Sequence, residues 1–395
     1  MDNTVAYLLL LAGILAGLCV LVFRLRRHVW VYFLAFFAYY HAAVCGAYYL
    51  IRYGDIFELF RLLAYAVFLG SFMLFIIMAV AASKRYKVLA SFFALLAFAT
   101  AGVAADAFLL EPTALEVTHY SIASAKLERA IKVAVVSDLQ TEKVSDYDRR
   151  VLTAVMNEKP DVILMPGDYL QVSNPGQHRV QAQKLNELFR RLHFGAPLGV
   201  YAVHGDQEGD GWEHLFDGLS VTALSETKTV ELPALAITGL SYGDSGNADL
   251  KVPASRTYHI VFGHRPEFML AHPAADLLVA GHTHGGQVHL PFVEGAPVSF
   301  SGVPAKWAGG GMFQVDDRTI GVISRGIGME RGYAPQLRFL CRPQIIILNL
   351  GPADHCADAA SPASRRSHRF PGTTAPGRGW TGSSPAAARD ETPMP

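Results

Sequence analysis

An α-helical transmembrane bundle followed by an α/β domain is the fold class that this 395-residue sequence predicts. Three observations lead there. The apolar excess of a chain that is 51% hydrophobic, with a mean hydropathy of +0.24, is concentrated before about residue 110. From Ile131 to Leu350, short apolar runs alternate with amphipathic or polar segments. Just beyond five of those runs stands an Asp or a His.

Four stretches are long and apolar enough to cross a bilayer, which takes about 20 residues: Val5–Phe23, Val29–Leu50, Phe57–Ala82 and Val88–Leu110. Almost no charge interrupts them, which argues against buried core helices. "MDN" lacks a basic start and the basic cluster follows the first run, so a cleavable signal peptide is not expected. "RLRRH" (Arg24–His28) joins the first pair of spans and "SKRYK" (Ser83–Lys87) the last pair, with "RYGD" (Arg52–Asp55) between. The positive-inside rule puts both basic loops in the cytoplasm. Both termini, and everything after Leu110, then fall on the outer, periplasmic side of a cytoplasmic membrane. His41, in the second span, is expected to be satisfied between helices, a functional role being the sharper alternative.

Residues 111–130 read as a connector and 131–351 as the α/β domain. Expected strands are Ile131–Ser137, Val162–Met165, Gly199–His204, Leu235–Gly239, Tyr258–Gly263, Leu277–Ala280, Thr319–Ser324 and Gln344–Leu350. Expected helices are Tyr147–Asn157, Arg179–Leu192 and Trp212–Leu219, the first stopped ahead of Pro160. Residues 352–395 are dominated by Ala, Ser, Pro, Arg, Gly and Thr without periodicity, and a disordered tail is expected there. Lys+Arg and Asp+Glu both number 34, so bulk charge gives no reason to expect nucleic acid as a partner. The four Cys show neither paired nor metal-ligand spacing.

The strand ends carry the chemistry. "IKVAVVS" leads to Asp138, "DVILMPG" to Asp168 and "GVYAVHG" to Asp206. "YHIVFG" leads to His264, and "DLLVAG" to His282 and His284. In an α/β sheet the carboxyl ends of parallel strands lie along one edge, where ligands bind. One such Asp is usually a helix cap and one such His a surface residue, but six at successive strand ends make a mixed oxygen and nitrogen site suited to a pair of divalent ions.

These blocks resemble the calcineurin-like metallophosphoesterases, whose pattern runs D-x-H, G-D, G-N-H-[DE], H, G-H-x-H. "HRPEF", "GHTHGGQ" and "SRGIG…RFLCRPQIIIL" are similar to a bacterial membrane-anchored subgroup. The resemblance covers about residues 131–350 and implies a four-layer α/β/β/α sandwich with two metals bridged by one carboxylate. It assigns Asp138 and His284 to the first metal, Asp168 to both, and Asp206, His264 and His282 to the second. It also implies water as the nucleophile, acting in line on phosphorus between ions roughly 3.5–4 Å apart. Likeness to UDP-diacylglucosamine pyrophosphatases would suggest a lipid A precursor, which conflicts with an outer-side domain because nucleotide sugars are cytoplasmic.

Three positions depart from the pattern. Gln140 occupies the His of D-x-H, Asp206 the Asn of G-N-H, and Gln207 the His beside it, while Gly205 and Glu208 hold the register. A third carboxylate and an amide oxygen favour Mn²⁺ or Mg²⁺ over Zn²⁺, with Fe or Zn as the alternative pair of ions. Losing the general acid at Gln207 costs about 10²–10⁴-fold, least where the leaving group needs no proton. The expected metal ligands are therefore Asp138, Gln140, Asp168, Asp206, His264, His282 and His284, with Asp168, Asp206, Gln207 and His264 as the catalytic set. The expected function is hydrolysis of a phosphoester or pyrophosphate on a lipid-linked substrate. The alternative is a catalytically impaired sensor or scaffold that binds metal and a phosphorylated ligand.

Overall fold

The computed structural model of this protein describes residues 3–51, 55–172 and 174–352. Most of "RYGD", and all but the first residue of the expected tail, lie outside the described residues. Among the described residues, four helices are long and apolar enough to span a membrane: Asn3–Leu25, Trp30–Leu50, Ile56–Ala82 and Lys87–Thr113. Each contains the corresponding stretch read from hydropathy, apart from the first residue of the second.

Small residues and tyrosine hydroxyls hold the bundle together, as expected where no hydrophobic force separates helix from lipid. Tyr7 donates its hydroxyl to the Ala43 carbonyl at 2.9 Å, and Tyr39 donates to the Ala66 carbonyl at 2.8 Å. The second bond falls in a π-helical stretch, Tyr65–Gly70, that interrupts the third span. A Cβ on Gly70 would collide with the Tyr39 hydroxyl, so the absence of a side chain there lets that hydroxyl reach the backbone. His41 is exposed on the outer surface of the bundle rather than satisfied between helices. The helix presents that side away from its partners, which a mid-span position alone does not reveal.

Asn3 lies against Glu58 at 3.4 Å, so the first span starts where the third span starts. At the other end of the bundle, Tyr86 donates to the Arg27 carbonyl at 2.7 Å, which puts the two basic loops side by side. The domain docks at the Asn3–Glu58 end: Arg61 of the third span reaches the Gly332 carbonyl at 3.4 Å.

Twelve strands follow: β1 (Glu116–Ala123), β2 (Ile131–Val135), β3 (Val162–Met165), β4 (Val200–Val203), β5 (Val221–Leu224), β6 (Lys228–Glu231), β7 (Leu235–Gly239), β8 (Tyr258–Phe262), β9 (Leu277–Ala280), β10 (Gly311–Gln314), β11 (Ile320–Ile323) and β12 (Gln344–Gly351). They form two six-stranded sheets, β1-β12-β2-β3-β4-β5 and β10-β11-β9-β8-β7-β6. In the first sheet β2 to β5 run parallel, and in the second β7, β8, β9 and β11 do.

Period-two alternation assigns each residue of the central strands to a layer. Val133, Leu164 and Val203 face Ile237, Ile260 and Val279 between the sheets. Ala134, Ile163 and Ala202 face outward, under helices Asp146–Asn157 and Pro175–Arg191. The outer face of the second sheet is covered by short elements, with Phe268, Met269 and Ala308 packed on Val261 and Ile323. Four layers result, α/β/β/α, the last built of single turns.

The expected connector is part of the domain instead. β1 pairs in parallel with β12 along its whole length, Glu116 opposite Gln344 through Ala123 opposite Gly351. Its mixed polarity reflects an edge strand half open to water. Trp212–Leu219 shortens to a 3₁₀ turn, Trp212–Phe216. Helix Asp146–Asn157 begins with a capping box, in which the Ser145 N–H donates to Asp148 at 2.7 Å.

The last span runs directly into the domain through Glu111, a buried carboxylate that accepts from the backbone N–H groups of Leu340 (2.7 Å) and Cys341. Replacing Glu111 by Ala leaves both donors buried without an acceptor, a cost of about 2 kcal/mol or more. Hydrogen exchange at the Leu340 and Cys341 amides should accelerate by about 30-fold, while the amides of β3 keep their protection.

Candidate metal centre

The carboxyl ends of β2, β3 and β4 in one sheet, and of β8 and β9 in the other, open on the same edge of the sandwich. Each supplies side chains to it. The backbone there is unusual: Asp138 (φ 53°), Gln140 (38°), Asp168 (59°), His282 (70°) and His284 (49°) all adopt the left-handed region. Non-glycine residues adopt that region uncommonly, and five of them converge on this one edge. A Cβ on Gly281 would strike Ser137 and the Asp138 carboxylate, and one on Gly205 would strike Asp168. The glycine before each of these ligand loops is therefore a clearance requirement, not punctuation.

Six of the seven expected ligands fall into two groups. Ligand atoms of Asp138, Asp168 and His284 lie within 4.8 Å of one another, and so do those of Asp206, His264 and His282. Asp206 Oδ1 is 2.5 Å from His264 Nε2 and 3.1 Å from His282 Nδ1, and those two nitrogens are 3.2 Å apart. His264 Nε2 also stands 3.6 Å from Asp168 Oδ1, which joins the two groups. In the other group His284 Nε2 is 3.7 Å from Asp138 Oδ1.

Divalent cations fit this donor set. His284 Nε2 and Gln140 Oε1 are buried and lack a hydrogen-bond partner among the described residues. Ring nitrogens of His264 and His282 point at each other and at carboxylate oxygen, an arrangement that a shared cation or a shared proton satisfies.

Gln140 gives its amide nitrogen to neighbouring carboxylates and leaves its Oε1 without a partner among the described residues. Its amide nitrogen donates to Asp168 Oδ2 at 3.1 Å and to Glu330 Oε2 at 3.2 Å. Glu330 in turn accepts from Gln171 at 2.5 Å, and Arg331 clamps the Gln140 carbonyl at 2.7 Å. Glu330 and Gln171 escaped the sequence reading because both sit on irregular loops that no strand end announces. Gln207 lies beside the second group, its backbone N–H donating to Asp168 Oδ1 at 3.0 Å and its amide nitrogen to Asp206 Oδ2 at 3.3 Å. Glu208 is the brace between loops: its two oxygens accept from the N–H groups of Asp168 (2.8 Å), Tyr169 (2.7 Å) and Gly205 (2.8 Å). His204 packs its ring against Tyr242 and Trp212.

Burial raises Asp138 to about 6, with Asp168 adding to the rise and His264 opposing it. Burial likewise raises Asp168. Asp206 stays well below the usual carboxylate range, because hydrogen bonds from His264 and His282 overcome its own desolvation. Desolvation opposes charge on His264, yet Asp168 and the Asp206 hydrogen bond lift it to about 10. His284 goes the other way, its proton disfavoured by burial and by the Arg338 guanidinium. In the metal-free site, then, His264 carries the proton that offsets three carboxylates, while His284 is already neutral.

A cation must displace the His264 proton to use its nitrogen. Metal uptake near neutral pH should therefore release about one proton from this ring, and affinity should strengthen as pH rises toward about 10, where the free ring loses that proton unaided. Calorimetric titration of Mn²⁺ in two buffers of different ionisation enthalpy measures the release. No proton release between pH 6 and 8 would contradict this account of the site.

Residues 131–286 match the family model of the calcineurin-like phosphoesterases. An uncharacterized metallophosphoesterase, YkuE of Bacillus subtilis, is 28% identical over 263 residues, covering 61% of this chain and 87% of that protein. Phosphodiesterase YaeI of Escherichia coli is 27% identical over 259 residues, 61% of this chain and 90% of its own. The uncharacterized metallophosphoesterase Cj0846 of Campylobacter jejuni is 24% identical over 254 residues, with the match spanning 63% of its length. With two packed sheets presenting Asp and His side chains at one edge and this match over the same residues, residues 131–286 carry a calcineurin-like phosphoesterase domain.

Proposed function

We propose that the protein is a membrane-anchored phosphoesterase, dependent on two divalent metal ions, that hydrolyses a phosphodiester or pyrophosphate bond of a lipid-linked substrate at the outer face of the cytoplasmic membrane. One observation carries the reading: two three-residue ligand groups, linked through Asp168 and His264, open on a cavity of about 680 Å³ that also reaches the third span. The name of the similar YaeI protein supports a diester. The two basic loops meet at the end of the bundle away from the domain, and the positive-inside rule then favours the outer side for the domain.

Asp138, His284 and, through its oxygen, Gln140 would hold one ion, and Asp206, His264 and His282 the other, with Asp168 between them. Such ions polarise phosphoryl oxygens and make water a stronger nucleophile. Three carboxylates and one amide favour Mn²⁺ or Mg²⁺. Arg265 lines the same cavity and supplies a fixed positive charge toward a phosphate. Gln207 occupies the place beside the leaving group but has no titratable proton to give, so the reaction favours a group that departs as a stable anion. The second reading, a binding protein with an impaired site, is favoured by the orientation of Gln140, whose nitrogen rather than oxygen faces Asp168.

Metal content and hydrolysis of an activated aryl phosphodiester separate the two. Wild type should bind metal and turn over, and Asp168→Asn should lose at least about 100-fold, more than outer-shell changes cost. The Gln140→His/Gln207→His variant should gain roughly 100-fold on a diester with an alkyl leaving group and far less on the aryl one. A metal-loaded wild type that is inert beside an active double variant would establish the second reading, and an Asp168→Asn enzyme with full turnover would refute the bridging role.

A further inference from the structure

We infer that the cavity at the metal ligands is a tail chamber: it receives the hydrocarbon chain of an amphiphilic phosphoester, which enters sideways from the bilayer along the third span. The inference deepens the phosphoesterase reading and rests on it for the phosphate end alone.

The wall opposite the ligands is a transmembrane helix. Phe57, Phe60, Ala64 and Val67 recur at three- and four-residue spacing, so one face of the third span lines the cavity. That face continues into the π-helical stretch Tyr65–Gly70, which turns Val67 and Phe68 toward the chamber. Facing them is the loop after the paired histidines, where Phe300 packs on Phe57 with ring centroids 4.8 Å apart and the rings tilted by 57°. Between these walls the cavity runs without interruption to Asp168, Asp206, His282 and His284.

A purely polar substrate would leave the aromatic wall wet, and a purely apolar one would leave the ionisable end unmatched. An amphiphile with its phosphate at the ligands and its chain along the helix satisfies both ends. At about 680 Å³ the chamber has the size of a ligand site, roughly 300–1,000 Å³. The loop that closes it is unusual for a water-facing segment: Phe292 is fully exposed, and Leu290, Val293, Val298 and Phe300 are all exposed. Phe300 packs against Phe57 and Phe60 of the third span, and Leu290 and Val298 line the same cavity, so an apolar loop tip here beds into the bilayer interface rather than into water. The entrance therefore faces lipid.

The test uses the full chain, loaded with Mn²⁺ in phosphatidylcholine nanodiscs. Dodecyl phosphate carrying a diazirine at the far end of its chain should cross-link to residues 56–68 or 290–300, and excess unlabelled dodecyl phosphate should compete. Ala64→Trp, which fills the chamber, should cut that labelling at least fivefold. Val298→Trp, on the facing wall and outside the bundle, is the second variant should the first fail to fold. In parallel, kcat/KM is compared for dodecyl and methyl 4-nitrophenyl phosphate. The wild-type advantage for the dodecyl diester should fall at least tenfold in either variant and stay unchanged in Phe98→Ala, on the bare face of the fourth span. Labelling confined to outward positions such as Phe92 and Phe98, or unaffected by the tryptophans, overturns the chamber. So does an advantage that survives them. If neither diester is hydrolysed, the phosphoesterase reading falls while the cross-linking still decides the chamber.

Discussion

Asp138 and Asp168 share one ligand group at the meeting edge of two sheets, both buried, and Asp206 stands in the adjoining group. Bringing three carboxylates together in such a place is costly unless positive charge joins them. Without metal, a proton on His264, between Asp168 and Asp206, supplies positive charge, and hydrogen bonds from Gln207, Gln140 and His282 add to it. The site is thus built to be completed by cations, and the rest of the domain reads as the scaffold that keeps these groups from escaping.

That scaffold works through the backbone more than through side-chain packing. Ligand residues in left-handed conformations, glycines without room for a Cβ, and a Glu208 brace across two loops all hold strand ends closer than the strands alone would place them. The cost is borne by the sheets below, whose central residues Val133, Ile163, Leu164 and Ala202 are wholly buried. Local strain of this kind persists only where surrounding structure over-determines it.

The helical bundle likewise helps to shape the site. Its fourth helix feeds straight into the domain through Glu111, and its third supplies the far wall of the cavity at the candidate metal ligands. The π-helical interruption that admits the Tyr39 hydroxyl lies at the level of that wall. Four helices rather than one make geometric sense if the third must be held at a set angle to the metal ligands.

Much of this was readable along the chain because it follows from short-range rules. The four spans are set by hydropathy over some twenty residues, and the central strands by alternation around Asp138, Asp168, Asp206, His264 and His282, each a few positions past a buried run. What local pattern cannot encode is pairing between distant segments. Residues 116–123 became an edge strand only because β12 lay open beside them, and His41 turned outward only because its helix chose other partners. Glu330 reached Gln140 across a separation of 190 residues, and Gln171 reached Glu330 across 159, through loops with no periodicity to announce them. Contact with a membrane helix, which makes the cavity half apolar, belongs to the same class: it arises from how two independently legible regions dock, and docking is decided by surfaces that no single stretch of sequence contains.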